Sequence, residues 1–290
     1  MRRDQPPSRI ADVFALAKPT ITATSVLTAA GGYLVAGSRL DSAQAAALLI
    51  GVALVVAAAN AFNMALERES DARMRRTRER PVASGRLSVR VALAIAGAWG
   101  GLATLILSWG TNTLTSSLAL ASLVIYAFVY TPLKRKTAFA LVIGAIPGAA
   151  PPLLGFTAAA GEVGAPGLSL FALLFVWQLP HFLAIALRCR EDYAAGGIRA
   201  ISVVLGEDST RRQAALYSAA LIPTALSLSM LGVVGWFYAA AATVLGIGMT
   251  TLAARAIRPP DQPAWDRRLF FASLAYLPLL FIALALDITR

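Results

Sequence analysis

Cysteine and histidine are almost missing from this chain, which has one of each, Cys189 and His181. A lone thiol forms no intrachain disulfide, and single copies of Cys and His cannot build a thiolate or imidazole metal cluster. Charge is scarce too, at 14% of residues, and acids are the scarcer sign, with 15 Asp and Glu against 26 Lys and Arg. So few charges exclude an ordinary soluble domain. Low-complexity tracts, a soluble appendage and a convincing internal repeat are also lacking, so residues 1–290 read as a single domain.

What fills the chain is apolar. Hydrophobic residues make up 58% of it and the mean hydropathy is +0.67. Runs long enough to cross a bilayer fall at about 19–37, 43–65, 89–109, 113–132, 138–160, 166–187, 213–233, 236–254 and 269–287. The expectation is an all-α integral membrane protein with about nine transmembrane helices in one bundle. The 213–254 stretch is too long for one span, and Gly232 and Gly235 suggest the turn that divides it. The first run has no clear small-residue cleavage site, so it reads as a retained span and not as a signal peptide.

The net charge of +11 would suggest nucleic acid in a soluble protein. Here the partition argues otherwise. With nine spans, 24 of the 26 Lys and Arg fall on one side, and only Arg39 and Arg290 fall on the other. The positive-inside rule makes the basic side cytoplasmic, with the N-terminus there, and the expected partner is the lipid bilayer of the cell membrane. Oligomeric state is not legible.

Three stretches on the basic side carry candidate chemistry. In the first, Asn60, Asn63, Glu67 and Asp71 stand at helical offsets that place them within roughly 80° of one another. Arginines follow at 73, 75, 76, 78, 80 and 86. Two carboxylates one turn apart repel unless a cation sits between them. A Mg²⁺ shared with a diphosphate would meet that need, since Mg²⁺ takes one or two carboxylates with phosphate oxygens and water. A helix end laced with Glu–Arg ion pairs would meet it equally well.

The second stretch is Tyr130-Thr-Pro-Leu-Lys134-Arg135-Lys136. It reads as a topogenic anchor with an interfacial aromatic, or as a further set of cations facing the acids. The third runs from Trp177-Gln178-Leu-Pro180-His181 to Glu191-Asp192-Tyr193. His181 lies inside an expected span, where ionisable groups are rare and face a cavity or a partner. It is either a hydrogen-bonded packing residue or a ligand. Arg188 and Asp192 share its helical face, with Asp192 roughly 16 Å away along a straight helix.

The motif Asn63-x₃-Glu67-x₃-Asp71-x₂-Met74-x-Arg76-Thr77-x₂-Arg80-Pro81 resembles the first signature of the intramembrane UbiA-type prenyltransferases. The blocks at 130–135, 144–155, 177–182 and 191–203 are similar to the branch of that family that acts on protohaem IX. The resemblance runs in order over about residues 15–220. It implies transfer of a farnesyl group from farnesyl diphosphate to a vinyl group of haem B, giving haem O. It also implies Mg²⁺ held by Glu67, Asp71 and Asp192, with Asn63 as a further candidate ligand. Arg76, Arg80, Lys134 and Arg135 would bind the diphosphate. Tyr130, Gln178 and His181 would face the acceptor, with His181 ligating iron or polarising water. Glu67 stands where the wider family has Asp, and Arg188 stands where many members have an acid. Whether one or two Mg²⁺ ions are held is left open. Two other readings remain: a relative using an aromatic or chlorophyll-type acceptor, and a transporter or haem-binding membrane protein without catalysis. Transporters usually place substrate contacts near the bilayer midplane, whereas these acids sit at the rim.

Overall fold

A computed structural model describes residues 8–37, 41–258 and 262–289. Of the basic residues counted above, Arg2, Arg3, Arg39 and Arg290 lie outside the described residues. The described chain is helical, and its one β-bridge joins Val234 to Ile288.

The helices begin and end where local chemistry permits. α1 (Arg9–Leu16) starts at Ser8, whose hydroxyl accepts the Ala11 N–H, and α2 (Pro19–Val35) has proline at its first position. α3 (Ser42–Leu66) is capped by Asp41, and a short α4 (Arg68–Arg73) continues it beyond a break at Glu67. Ser88 caps α5 (Val89–Gly110), and Asn112 caps α6 (Thr113–Val124). α6 runs through a π-helical turn (Ile125–Tyr130) into α7 (Thr131–Leu133). Next come α8 (Ala140–Ala160), closed by a left-handed Gly161, and α9 (Ala165–Arg188). Two short helices, α10 (Arg190–Ala195) and α11 (Ile201–Val204), precede α12 (Glu207–Met230), α13 (Trp236–Arg255) and α14 (Gln262–Asp287).

By length and composition, seven helices among the described residues can cross a membrane, or eight if α1 and α2, bent by 43°, form one broken span. The expected span 213–233 forms the greater part of α12, a helix of 24 residues whose Gln213, Pro223 and many hydroxyls leave it outside that count. The split at Gly232 and Gly235 appears as a turn, with Gly232 at φ +70°. That turn is tied to the end of α14 by Gly235 N–H to Asp287 O, and Asp287 Oδ2 accepts the Tyr238 N–H.

α8 is central, with 72% of its apolar window buried, while α5, α6–α7 and α13 bury 28% each and turn their remaining apolar surface outward. In a bilayer that outward surface meets lipid tails and needs no further cover. Trp109 and Trp236 sit exposed at helix ends opposite the basic loops, as interfacial tryptophans do. The α2–α8 crossing is very close. A Cβ at Gly32 would strike the Pro152 carbonyl oxygen, and one at Gly155 would strike the Ala29 carbonyl oxygen. Small residues let backbones approach in this way. At the other, basic end of the bundle the start of α2 and the ends of α3, α7 and α9 come together.

Candidate active site

At that end lies a cavity of about 240 Å³. Its polar wall carries Lys18, Asn63, Glu67, Asp71, Arg76, Arg80, Lys134 and Arg199, and its apolar wall includes Ile21, Tyr126, Tyr130, Leu141 and Phe182. Five cations thus face two carboxylates. The surplus suits a polyanion, and the apolar wall suits a hydrocarbon joined to it.

Each acid has its own cation. Glu67 Oε1 pairs with Lys134 Nζ at 2.9 Å, and Arg80 Nη1 donates to both oxygens of Asp71 at 2.9 and 2.8 Å. Both carboxylates are buried, at 6% and 1% exposure. Burial alone would push the Glu67 carboxyl up, but Lys134, Lys18 and Asn63 outweigh it and hold Glu67 below the ordinary carboxylate range. Lys134 is the mirror case: burial works against its charge, and Glu67 more than restores it, so its ammonium is held more firmly than usual. Its Nζ also lies 4.5 Å from the Tyr130 ring centroid. Burial pushes the Tyr193 phenol up.

Lys18 occupies the break between α1 and α2, just ahead of the α2 span. Among described residues it is the only one other than glycine with positive φ, at φ 47° and ψ 70°. That backbone conformation is costly for a lysine and unusual before proline. It aims Nζ at Asn63 Oδ1, 3.1 Å away, while Asn60 Nδ2 holds the neighbouring Ala17 carbonyl at 3.2 Å. Asn63 Nδ2 donates to Thr131 Oγ1 at 3.3 Å, and Thr131 in turn donates both its hydroxyl and its backbone N–H to the Tyr126 carbonyl at the end of the π turn.

Of the residues singled out from sequence, Asn63, Glu67, Asp71, Arg76, Arg80, Tyr130 and Lys134 meet in this cavity. Arg135 does not line it and is exposed. Asp192 lines an adjoining polar groove, where its carboxylate accepts the backbone N–H groups of Arg75 and Arg76 at 3.1 and 3.3 Å. Gln178 and His181 are buried in the helix seams behind the cavity. Gln178 Nε2 bonds the Ala145 and Leu174 carbonyls, and His181 Nδ1 meets Ser273 Oγ at 2.8 Å. Sequence reasoning missed Lys18, Tyr126 and Arg199, and named Tyr193 in the third stretch without giving it a role. A lone lysine directly before the proline that opens a span was the one available signal for Lys18.

The donor set suits a divalent cation in part. Two carboxylates and an amide oxygen share one wall, which is what Mg²⁺ takes alongside phosphate oxygens. Among described residues no three His, Cys, Asp or Glu side chains converge. The arrangement therefore fits one ion at Glu67 and Asp71 that draws its remaining ligands from substrate and water.

Comparison with known proteins bears on the family and the fold. The model of the UbiA prenyltransferase family matches residues 25–275. A protein named protoheme IX farnesyltransferase from Anaeromyxobacter sp. (strain Fw109-5) is 46% identical over 275 residues, covering 95% of this chain and 93% of its own. One of that name from Myxococcus xanthus (strain DK1622) is 41% identical over 286 residues, covering 99% and 97%. Among solved structures, a digeranylgeranylglyceryl phosphate synthase shares the fold at TM-score 0.79 and 15% identity, covering 96% of this chain and 97% of its own. A UbiA homolog from Archaeoglobus fulgidus bound to GPP and Mg²⁺ does so at 0.64 and 16%, covering 94% and 99%.

Proposed function

Since the chain belongs to the UbiA prenyltransferase family, we propose that it transfers a farnesyl group from farnesyl diphosphate to a vinyl group of protohaem IX, giving haem O. The observation that carries this reading is the cavity, in which two buried carboxylates and five cations face an apolar wall. The acceptor is taken from the relatives, which bear the name protoheme IX farnesyltransferase over nearly their whole length.

The chain's own residues supply most of what the reaction needs. Arg76, Arg80, Lys134 and Lys18 grip the diphosphate oxygens and stabilise charge as it collects on the leaving group. Glu67 and Asp71, with Asn63, would hold Mg²⁺, which when bound adds positive charge at the departing diphosphate. In the present arrangement Lys134 and Arg80 satisfy those acids, so they are already within reach of any phosphate that enters. Tyr126, Tyr130 and Phe182 wall off the allylic carbon from bulk water, which would otherwise capture it. The new carbon–carbon bond forms at the vinyl terminus, the oxygen of one water joins the adjacent carbon, and one proton and the diphosphate leave. Asp192 acts from the adjoining groove by fixing the backbone that presents Arg76. Arg135 adds positive potential at the rim.

On this reading the whole chain works as one domain in the cell membrane, with its N-terminus and active site on the cytoplasmic side. The test is conversion of protohaem by membranes bearing the protein, given farnesyl diphosphate and Mg²⁺. The expected result is a heavier, more hydrophobic haem by liquid chromatography and mass spectrometry, lost on chelation and restored by Mg²⁺. Unchanged haem with both substrates present overturns the reading. Prenylation of an aromatic or chlorophyll-type acceptor in place of haem replaces it with the sister activity.

A further inference from the structure

The five cations that line the cavity sort by depth. Lys134 and Arg80 are recessed, with 15% and 23% of their side chains exposed, and each is paired with a buried carboxylate. Lys18 is half-buried and donates to Asn63. Arg76 and Arg199 are exposed and stand at the mouth. Among the described residues neither of these two guanidinium groups makes an ion pair or a side-chain hydrogen bond. Two planar, always charged forks thus face one opening with no acid of their own to satisfy.

Arg76 belongs to the acid–arginine motif, whereas Arg199 stands alone in a basic loop, where an arginine is ordinarily a topology signal. Its backbone argues for more. The loop between α10 and α11 is tied down one residue at a time. Gly196 N–H donates to the Asp192 carbonyl at 2.9 Å, and Gly197, left-handed at φ +71°, donates to that of Ala194 at 3.1 Å. Ile198 is buried and donates to the Tyr193 carbonyl at 2.8 Å. A Cβ at Gly196 would strike the side chain of Met74, itself buried, so the loop also packs against the segment that follows α4. Arg199 N–H then donates to the Lys134 carbonyl at 2.8 Å. The Arg199 side chain therefore starts from a fixed point on the residue that pairs with Glu67, and it lines the cavity. Arg135 and Lys136 are exposed next to Lys134 and do not line it.

We propose that Arg199 is a specificity-determining residue that, together with Arg76, receives the terminal phosphate of the prenyl diphosphate. The proposal rests on the reading that the cavity binds such a substrate. With the hydrocarbon against Ile21, Tyr126, Leu141 and Phe182, the phosphate bonded to carbon lies inside and the terminal phosphate lies at the mouth. The recessed Lys134 and Arg80 meet the inner phosphate, and the exposed forks meet the outer one, whose three non-bridging oxygens suit two guanidinium groups. Arg199 thereby separates a diphosphate from a monophosphate, whose single phosphate stays at the inner position beyond its reach. The bound terminal phosphate also joins the loop that carries Arg76 to the loop that carries Arg199.

The test uses the full chain in phosphatidylcholine nanodiscs with Mg²⁺, titrated calorimetrically with two ligands. One is farnesyl S-thiolodiphosphate, which resists ionisation, and the other is farnesyl monophosphate. The wild type is expected to bind the diphosphate more tightly. Arg199→Gln weakens the diphosphate about tenfold, the scale of one charge-assisted contact, and leaves the monophosphate unchanged. Arg199→Lys keeps the charge without the fork and recovers part of that loss. Lys136→Gln removes the same charge from the same face outside the cavity and keeps the wild-type ratio of the two affinities. Wild-type diphosphate affinity in Arg199→Gln overturns the assignment while sparing the diphosphate reading, and so does equal weakening of both ligands. A Lys136→Gln protein whose ratio shifts as far as that of Arg199→Gln also overturns it, because the effect is then one of surface potential and not of contact. A wild type that binds neither ligand removes the diphosphate reading and the role of Arg199 with it.

Discussion

Single side chains decide the chemistry here because so few of them are charged. Asp71 is 1% exposed and receives one Arg80 nitrogen on both oxygens, so its carboxylate is oriented before any substrate arrives. Asp71→Asn keeps the shape and removes the charge. It should lower kcat by about a hundred- to a thousandfold, the usual cost of losing one oriented electrostatic group, and full kcat in a turnover assay would refute the assignment. Lys18 touches the site through Asn63 and contributes charge, not shape. Lys18→Ala should raise KM for the prenyl diphosphate by roughly tenfold with a smaller change in kcat, the pattern of a lost ground-state contact. The acids were legible because they recur at helical spacing in one short stretch, and Arg76 and Arg80 because they match the motif of the family that the stretch resembles. Lys18 was not, because its relevance comes from a left-handed backbone turn that hydropathy and periodicity do not report.

At the scale of elements, two devices set the helices in register. The first is the glycine contact between α2 and α8, where Gly155 meets the Ala29 carbonyl. Gly155→Ala should force the pair apart at a cost of about 1–3 kcal/mol, visible as a lower midpoint of thermal inactivation in detergent. The second is the buried ion pair that ties α12 to α14. Arg211, 2% exposed, donates to Asp266 Oδ1 and Oδ2 at 3.2 and 2.9 Å. Asp266→Ala leaves the buried guanidinium with only the more exposed Glu207 and Asp208 of its own helix and should destabilise by about 1–3 kcal/mol, while turnover per folded molecule at permissive temperature stays close to wild type. Sequence reading placed the helix boundaries within a few residues over most of the chain, because apolar runs and capping residues are local signals. It began α12 at 213 and α14 at 269, whereas the helices begin at Glu207 and Gln262. α12 starts in charged residues and α14 reaches Asp266, Arg267 and Arg268 after its first turn; hydropathy excludes both segments, and the Arg211–Asp266 ion pair joins them.

Across the whole molecule, the basic loops and the candidate site lie at one end of the bundle, and the proposed topology makes that end cytoplasmic. In a Cys189→Ser background, a cysteine at exposed Glu162 should react with a membrane-impermeant thiol reagent on intact cells, and one at exposed Glu79 should not. The opposite pattern would invert the molecule and place diphosphate chemistry outside the cell. The sequence alone determined that this is an apolar helical bundle with one basic face and an acid–arginine motif at a helix end. These properties follow from composition and from spacing over three to eleven residues. Only the tertiary structure decided which partners meet: Glu67 with Lys134, Asp192 with the backbone of Arg75, and His181 with Ser273, 92 positions away. It also divided the third motif, sending His181 to one seam and Asp192 to a groove beside the cavity. The reason is physical. Hydropathy and helical period act along the chain, whereas a buried charge or imidazole is satisfied by whatever packing brings within about 3 Å, and that depends on how all the helices cross.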